Sequence, residues 1–267
     1  MRRHAIGIVA AFTLVAACSD DSTDTASTAA ATTAAAATVP VVTDPQTTDA
    51  PATTEAVLPV LPIGQPLTAG SSYRLAKSVI GRAMQFTNPT DGTFGVSGPG
   101  GFFVSADQAG LEPLVGVFDL MESRAFIDSL IDLGATTSTP PRPGALSDAD
   151  AAALTAATET PPADYLAYFA ALPGVETGEV TTTEFAGHPA TAMTWSFGAF
   201  DGGHPCFGST RGNCVVTLWF AVGAVASYWT GDAGTTYVID IDGRTVVVEV
   251  RDRPGAQQTA DSVVIGD

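Results

Sequence analysis

Apolar positions follow two different periods along this chain. Between Pro162 and Pro173, Tyr165, Tyr168, Phe169 and Leu172 fall at i, i+3, i+4 and i+7, which predicts a helix from Asp164 to Leu172 with a core-facing stripe. Phe126, Ile127, Leu130 and Ile131 recur at helical spacing and predict a helix over Arg124 to Leu133. A third helix is expected to start at Ser147-Asp148-Ala149-Asp150, a serine cap followed by early acids, and to run to Thr158. From Val180 the period becomes two. Met193, Trp195 and Phe197 then share one face and Thr194 and Ser196 the other, in a hairpin that turns at Ala186-Gly187-His188-Pro189.

The stretch CVVTLWFAVGAVASYW, from Cys214 to Trp229, is apolar on both faces and predicts one central strand covered on both sides. TTYVIDIDGRTVVVEVRD reads as a hairpin whose Asp242-Gly243 suits a tight primed turn, and a short helix is expected near Ala256 to Ser262. Earlier in the chain, Ser72 to Ala76, Ala83 to Thr87 and Leu114 to Met121 have strand length, with turns at Asp91-Gly92 and among the glycines of 95–101. The expectation is an α+β fold: an antiparallel meander sheet of about five or more strands with helices packed on it, forming one domain over residues 56–267.

The first 55 residues have a different composition. Met1-Arg2-Arg3-His4 is a basic leader, and residues 5–17 carry no charge, the layout of an export signal over 1–17. Such a run is shorter than the ~20 apolar residues a membrane-spanning helix needs. Residues 19–55 are almost wholly Thr, Ala, Asp, Ser and Pro, without Lys, Arg, aromatic residues, Leu, Ile or Met. They bury too little apolar surface to offset chain ordering at ~1–2 kcal/mol per residue, which predicts a disordered tether over 18–55. Val15-Ala16-Ala17-Cys18 resembles the lipobox of bacterial lipoproteins. That resemblance implies cleavage before Cys18, lipid on its sulfur, and a membrane anchor on the extracytoplasmic face.

Charge narrows the partners. The whole chain carries 11 basic and 28 acidic residues, a net charge of −17, and loss of Arg2 and Arg3 would make it more acidic still. Nucleic acid is therefore excluded as an expected partner, because phosphate binding needs clustered Lys and Arg. The cysteines beyond Cys18 are Cys206 and Cys214, flanking a Gly/Ser/Asn-rich loop, and in an oxidising compartment they read as a disulfide. The competing reading is a zinc set of His188, His204, Cys206 and Cys214, but the ligand spacing matches no standard zinc module. No metal or cofactor is expected.

The order of elements in the second half, from DYLAYFAALPG through AGHPATAMTW and the cysteine loop to IDIDGRTVVVEV, is similar to secreted domains of actinobacterial lipoproteins related in shape to the PsbP-like α/β sandwich. The resemblance implies an envelope-facing, non-enzymatic module and transfers no catalytic residue. Motif tests agree with that. GVSGPG fails the nucleophile-elbow pattern at Pro99, there is no phosphate-binding loop or H-E-x-x-H, and DIDG at 240–243 reads as a hairpin turn. His188 and His204 precede proline in expected turns with no evident orienting partner, and Asp201 is a candidate partner for Arg211. The expected function is a non-catalytic binding or accessory module at the cell envelope, reaching the membrane through Cys18 and an unknown envelope protein or small ligand through its domain. A secreted hydrolase with an unrecognised site, or a solute or lipid receptor of a transport system, is the alternative.

Overall fold

A computed structural model describes residues 58–61, 65–75, 80–91, 93–98, 100–106, 112–133, 147–206, 211–220 and 224–266. All lie in the unit that runs from Thr54 to Asp267. Its strands are β1 (Ser72–Leu75), β2 (Met84–Thr87), β3 (Phe94–Gly98), β4 (Gly101–Ser105), β5 (Pro113–Asp119), β6 (Ser123–Phe126), β7 (Thr158–Glu159), β8 (Val175–Thr177), β9 (Thr181–Phe185), β10 (His188–Phe197), β11 (His204–Pro205), β12 (Asn213–Phe220), β13 (Ala224–Trp229), β14 (Ala233–Ile241), β15 (Arg244–Arg251) and β16 (Val264–Ile265). The helices are α1 (Asp148–Ala156), α2 (Tyr165–Ala170) and α3 (Ala256–Asp261), with a 3-10 turn at Leu120–Glu122.

The strands form three antiparallel sheets. The main sheet runs β3-β4-β5-β15-β14-β10-β8, with β9 continuing the edge beside β10. A second sheet runs β11-β12-β6-β7, with β13 on the other side of β12, and a small third sheet is β1-β2-β16. Alternation along β15 explains the stacking. Val246, Val248 and Val250 face the third sheet and α3, in one apolar cluster with Phe86, Phe102, Ile239 and Ala260. Val247 faces the second sheet and α2, in a cluster with Trp195, Phe169, Leu218 and Tyr228. With both faces covered, the strand reads as an almost unbroken apolar run. A further cluster lies on the outer side of the second sheet, where Leu154 of α1 meets Val216, Trp219, Trp229 and both cysteines.

The α+β expectation is corrected by this arrangement. The chain is mostly β-sheet, with short helices, and the main sheet is covered chiefly by other sheets. Two misread segments account for much of the difference. Arg124 to Phe126, expected to open a helix over Arg124 to Leu133, belong instead to strand β6 between β12 and β7, which leaves Ile127 65% exposed. Pairing to two neighbouring strands outweighs a spacing that suited either element. The apolar run from Cys214 to Trp229 is two paired strands, β12 and β13. A single strand of that length would extend ~50 Å at ~3.3 Å per residue, beyond what this core can cover. An irregularity in register between Val216 and Trp219 also redirects β12, so Val215 and Leu218 share the inner face and Val216 and Trp219 the outer one.

Local signals give the remaining boundaries. Ser147 caps α1 by accepting from the Asp150 amide, and Asp164 caps α2 by accepting from the Ala167 amide at 3.0 Å. Two-residue turns close the β9–β10 and β14–β15 hairpins: Ala186-Gly187 at φ 50° and 82°, and Asp242-Gly243 at φ 56° and 77°. The tether expected over 18–55 and the leader before it lie outside the described residues.

Phe169 of α2 is fully buried and touches the rings of Trp195, Phe197 and Tyr228, so it joins helix, main sheet and second sheet. Phe169→Ala should lower unfolding free energy by about 3–5 kcal/mol, read as a fall in the urea midpoint without a change in slope.

Candidate functional site

The residues singled out from sequence are scattered. Cys18 lies outside the described residues. Cys206 and Cys214 are joined as a disulfide, with Cα atoms 5.8 Å apart, between β11 and β12. Because the two sulfurs are bonded to each other, neither is a thiolate for the zinc set, and His188 sits on the main sheet while His204 sits on the second. His204 Nδ1 lies 3.3 Å from Asp132 at the surface. Arg211 pairs with the buried Asp232 rather than with Asp201 as expected, and its guanidinium lies 4.5 Å from the Trp229 ring centroid. Ser97 of GVSGPG lies within β3, with no strand-to-helix elbow. In DIDG, Asp240 accepts from the Gly243 amide at 2.8 Å and Asp242 pairs with Arg82, which serve the turn and its surroundings.

The densest ionisable cluster was not singled out from sequence. Glu249 and Arg251 sit two positions apart on β15 and leave the main sheet on the same side, toward the second sheet. The Glu249 carboxylate accepts from the Tyr228 hydroxyl, and Tyr165 of α2 approaches it at 3.4 Å. Arg251 lies 3.5 Å from Glu249 and 3.3 Å from Asp232, and donates to the Ser227 carbonyl at 3.2 Å. Its guanidinium lies against both Trp195 and Tyr228, 4.9 and 4.2 Å from their ring centroids. Asp232, in the crossing from β13 to β14, also receives Arg211 and Arg253 and accepts from the Trp229 amide. The only cue in the sequence is that charges at 249 and 251 interrupt an apolar strand on one face.

Burial dominates the chemistry of this cluster. It pushes the Glu249 carboxyl above its ordinary value, while Arg251 and the two tyrosine hydroxyls pull the other way. Burial, and next the Glu249 charge, raise the Tyr165 and Tyr228 phenols well above their usual range. Tyr168 is pushed to about 12, chiefly by burial. With Glu249 and Tyr165 each 1% exposed and Tyr228 at 0%, the carboxylate and its two phenols are closed to a substrate and suit a structural role.

An accessible site lies on the opposite side of the main sheet. The third sheet and α3 cover β4, β5 and β15, leaving a trough over β14, β10 and β9. One depression, of about 530 Å3, is lined by Glu179, Thr181, Thr183, Thr194, Thr235 and Tyr237. A second, of about 340 Å3, meets it at Thr194 and Thr235 and extends past Arg253 and Gln257 to Asp252, Arg251 and Trp195, reaching the face toward the second sheet. Thr194 and Thr235 are direct partners across β10 and β14, and Thr181 and Thr183 flank them from β9. The hydroxyls both donate and accept, and half-buried Tyr237, packed against Phe185 at 5.0 Å between centroids, adds an apolar ring. Burial, then Asp261, raises the Tyr237 phenol, so it stays protonated as a donor. The Thr-rich strand was legible, but which threonines share a face with Tyr237 depends on strand register.

No protein-family model matches the chain, and no curated protein matches it.

The folded protein retains a proton on Glu249 at a pH where the unfolded chain, with a carboxyl near 4.5, has released it. This group's contribution to stability therefore falls as pH rises from 4.5 through the higher folded value. Across that window the unfolding free energy of Glu249→Gln should rise relative to wild type, read from urea titrations at a series of pH values. A constant difference between the two proteins would contradict the assignment.

Proposed function

We propose that this chain is a lipid-anchored, non-catalytic binding module on the extracytoplasmic face of a cell membrane, and that the threonine trough holds its ligand. The leader over 1–17, the lipobox-like Val15-Ala16-Ala17-Cys18 and the acidic, Thr/Pro-rich segment after it support the anchor. Among the described residues no helix is long and apolar enough to cross a membrane. The observation that carries the binding role is the run of threonine hydroxyls and the Tyr237 ring on an accessible depression, with Glu179 and Arg253 beside them, while the Glu249 carboxylate is sealed between sheets.

The trough suits a neutral, hydroxyl-rich ligand. Each threonine matches a ligand hydroxyl as donor or acceptor, and the Tyr237 ring gives the apolar face of a sugar a place to rest. An anionic polymer would be repelled by a chain of net charge −17. The ligand class is therefore a saccharide chain.

Cys18→Ser should move the protein from the membrane fraction to the medium; retention in the membrane would remove the anchor from the account. Thr235→Trp fills the junction of the two depressions and should weaken binding of neutral oligosaccharides about tenfold or more by calorimetry. Absence of binding by wild type across a panel of neutral oligosaccharides would overturn the ligand class.

A further inference from the structure

A cavity of about 240 Å3 lies at the start of β6, lined by Leu120, Met121, Glu122, Arg124, Pro161 and Trp219 among others. It shares no residue with the threonine trough. Arg124 and Trp219 are direct partners across β6 and β12, so both side chains project from the same face of the second sheet.

Two hydrogen-bond donors here lack an acceptor suited to them. Arg82, Arg211, Arg244, Arg251 and Arg253 each pair with a carboxylate; among the described residues Arg124 has none within 4.0 Å, as is true of Arg74, whose Nε donates to the Leu58 carbonyl at an exposed position, in a chain of net charge −17. Its guanidinium is half-buried and held in place. Nε donates to the Thr158 hydroxyl at 2.8 Å and Nη2 to the Thr158 carbonyl at 2.7 Å, which leaves Nη1 free of any protein partner among the described residues. Trp219 is 5% exposed, and its buried indole N–H has no acceptor among the described residues. The Trp219 N–H is itself sealed from the cavity, so the group poised for an external acceptor is Arg124, an unneutralised and pre-positioned guanidinium with a free Nη1 beside an apolar lining.

We propose that this cavity binds a small carboxylate bearing an apolar group. The carboxylate takes charge-assisted hydrogen bonds from Arg124 with the Trp219 indole beside it, and the apolar group lies against Leu120, Met121 and Pro161. Glu122, the acid lining the cavity, is 3.3 Å from Arg244, which offsets its repulsion of the ligand. Met121 is 68% exposed, an apolar side chain left at the rim where such a ligand would cover it. A free short-chain acid and the C-terminus of a peptide ending in an apolar residue share this chemistry.

The test is calorimetric titration of the full-length protein with hexanoate and with N-acetyl-leucine, each against its neutral amide. Saturable binding of at least one acid, about tenfold tighter than its amide, is expected, and the tighter of the two acids identifies the source. Arg124→Gln should reduce that affinity about tenfold. Because Arg124 also ties β6 to Thr158, Met121 supplies a second pair of variants at an exposed position. Met121→Glu should weaken acid binding and Met121→Lys should tighten it, each about threefold, with amide binding unchanged. No saturable binding by either acid, equal affinity for acid and amide, or unchanged acid affinity in both Met121 variants would overturn the proposal.

Discussion

Between the main and second sheets, two oppositely charged side chains leave the same strand and are buried together. Glu249 reaches the Tyr228 hydroxyl and Arg251 reaches Asp232 and the Ser227 carbonyl, so β15 is tied to β13 and to the crossing that leads out of it. Apolar packing alone would allow the sheets to slide over one another, because valine against leucine is non-directional. A buried carboxylate and guanidinium allow few arrangements, since removing either partner leaves an uncompensated charge at a cost of ~3–5 kcal/mol. Contact of Arg251 with the Trp195 and Tyr228 rings gives the cation aromatic neighbours in place of water.

The division of surfaces follows from this pin. On its side of the main sheet, the second sheet and α2 bring Phe169, Trp195, Phe197 and Tyr228 into one aromatic group, with the Glu249 carboxylate sealed beside it. On the other side, the third sheet and α3 are too small to span the main sheet, and the strands beyond them carry threonine in place of valine. The exposed edge next to that trough carries Glu176, Glu179 and Glu184, a charge pattern that discourages strand pairing with another copy of the chain. An accessible polar surface is thus kept available on a β-rich body without an adhesive edge.

The second sheet has its own irregularity, and it shapes the smaller cavity. The register shift in β12 turns Trp219 outward to lie beside Arg124, whereas strict alternation after Val216 would turn it inward. The same shift lets Leu218 enter the aromatic layer and leaves Trp219 in the outer cluster with α1 and the disulfide. One local departure from regular pairing therefore supplies both a core residue and the wall of the cavity.

Features decided within a few residues were legible in the chain itself. The cap at Ser147, the turn at Asp242-Gly243, the helical stripe from Tyr165 to Leu172 and the face shared by Met193, Trp195 and Phe197 all rest on backbone preferences and on the periods of 3.6 and 2. The Cys206–Cys214 bridge was legible for the same reason, since the eight-residue separation brings the sulfurs within reach of each other. Features that need a partner from far along the chain were not. The strand at 123–126, the division of residues 214–229 into two strands, the salt bridge from Arg211 to Asp232 and the burial of Glu249 among Tyr165, Tyr228 and Arg251 depend on which strands pair and in what register. A one-residue slip would send every one of those side chains to the opposite face, so their chemistry exists only once the sheets are stacked.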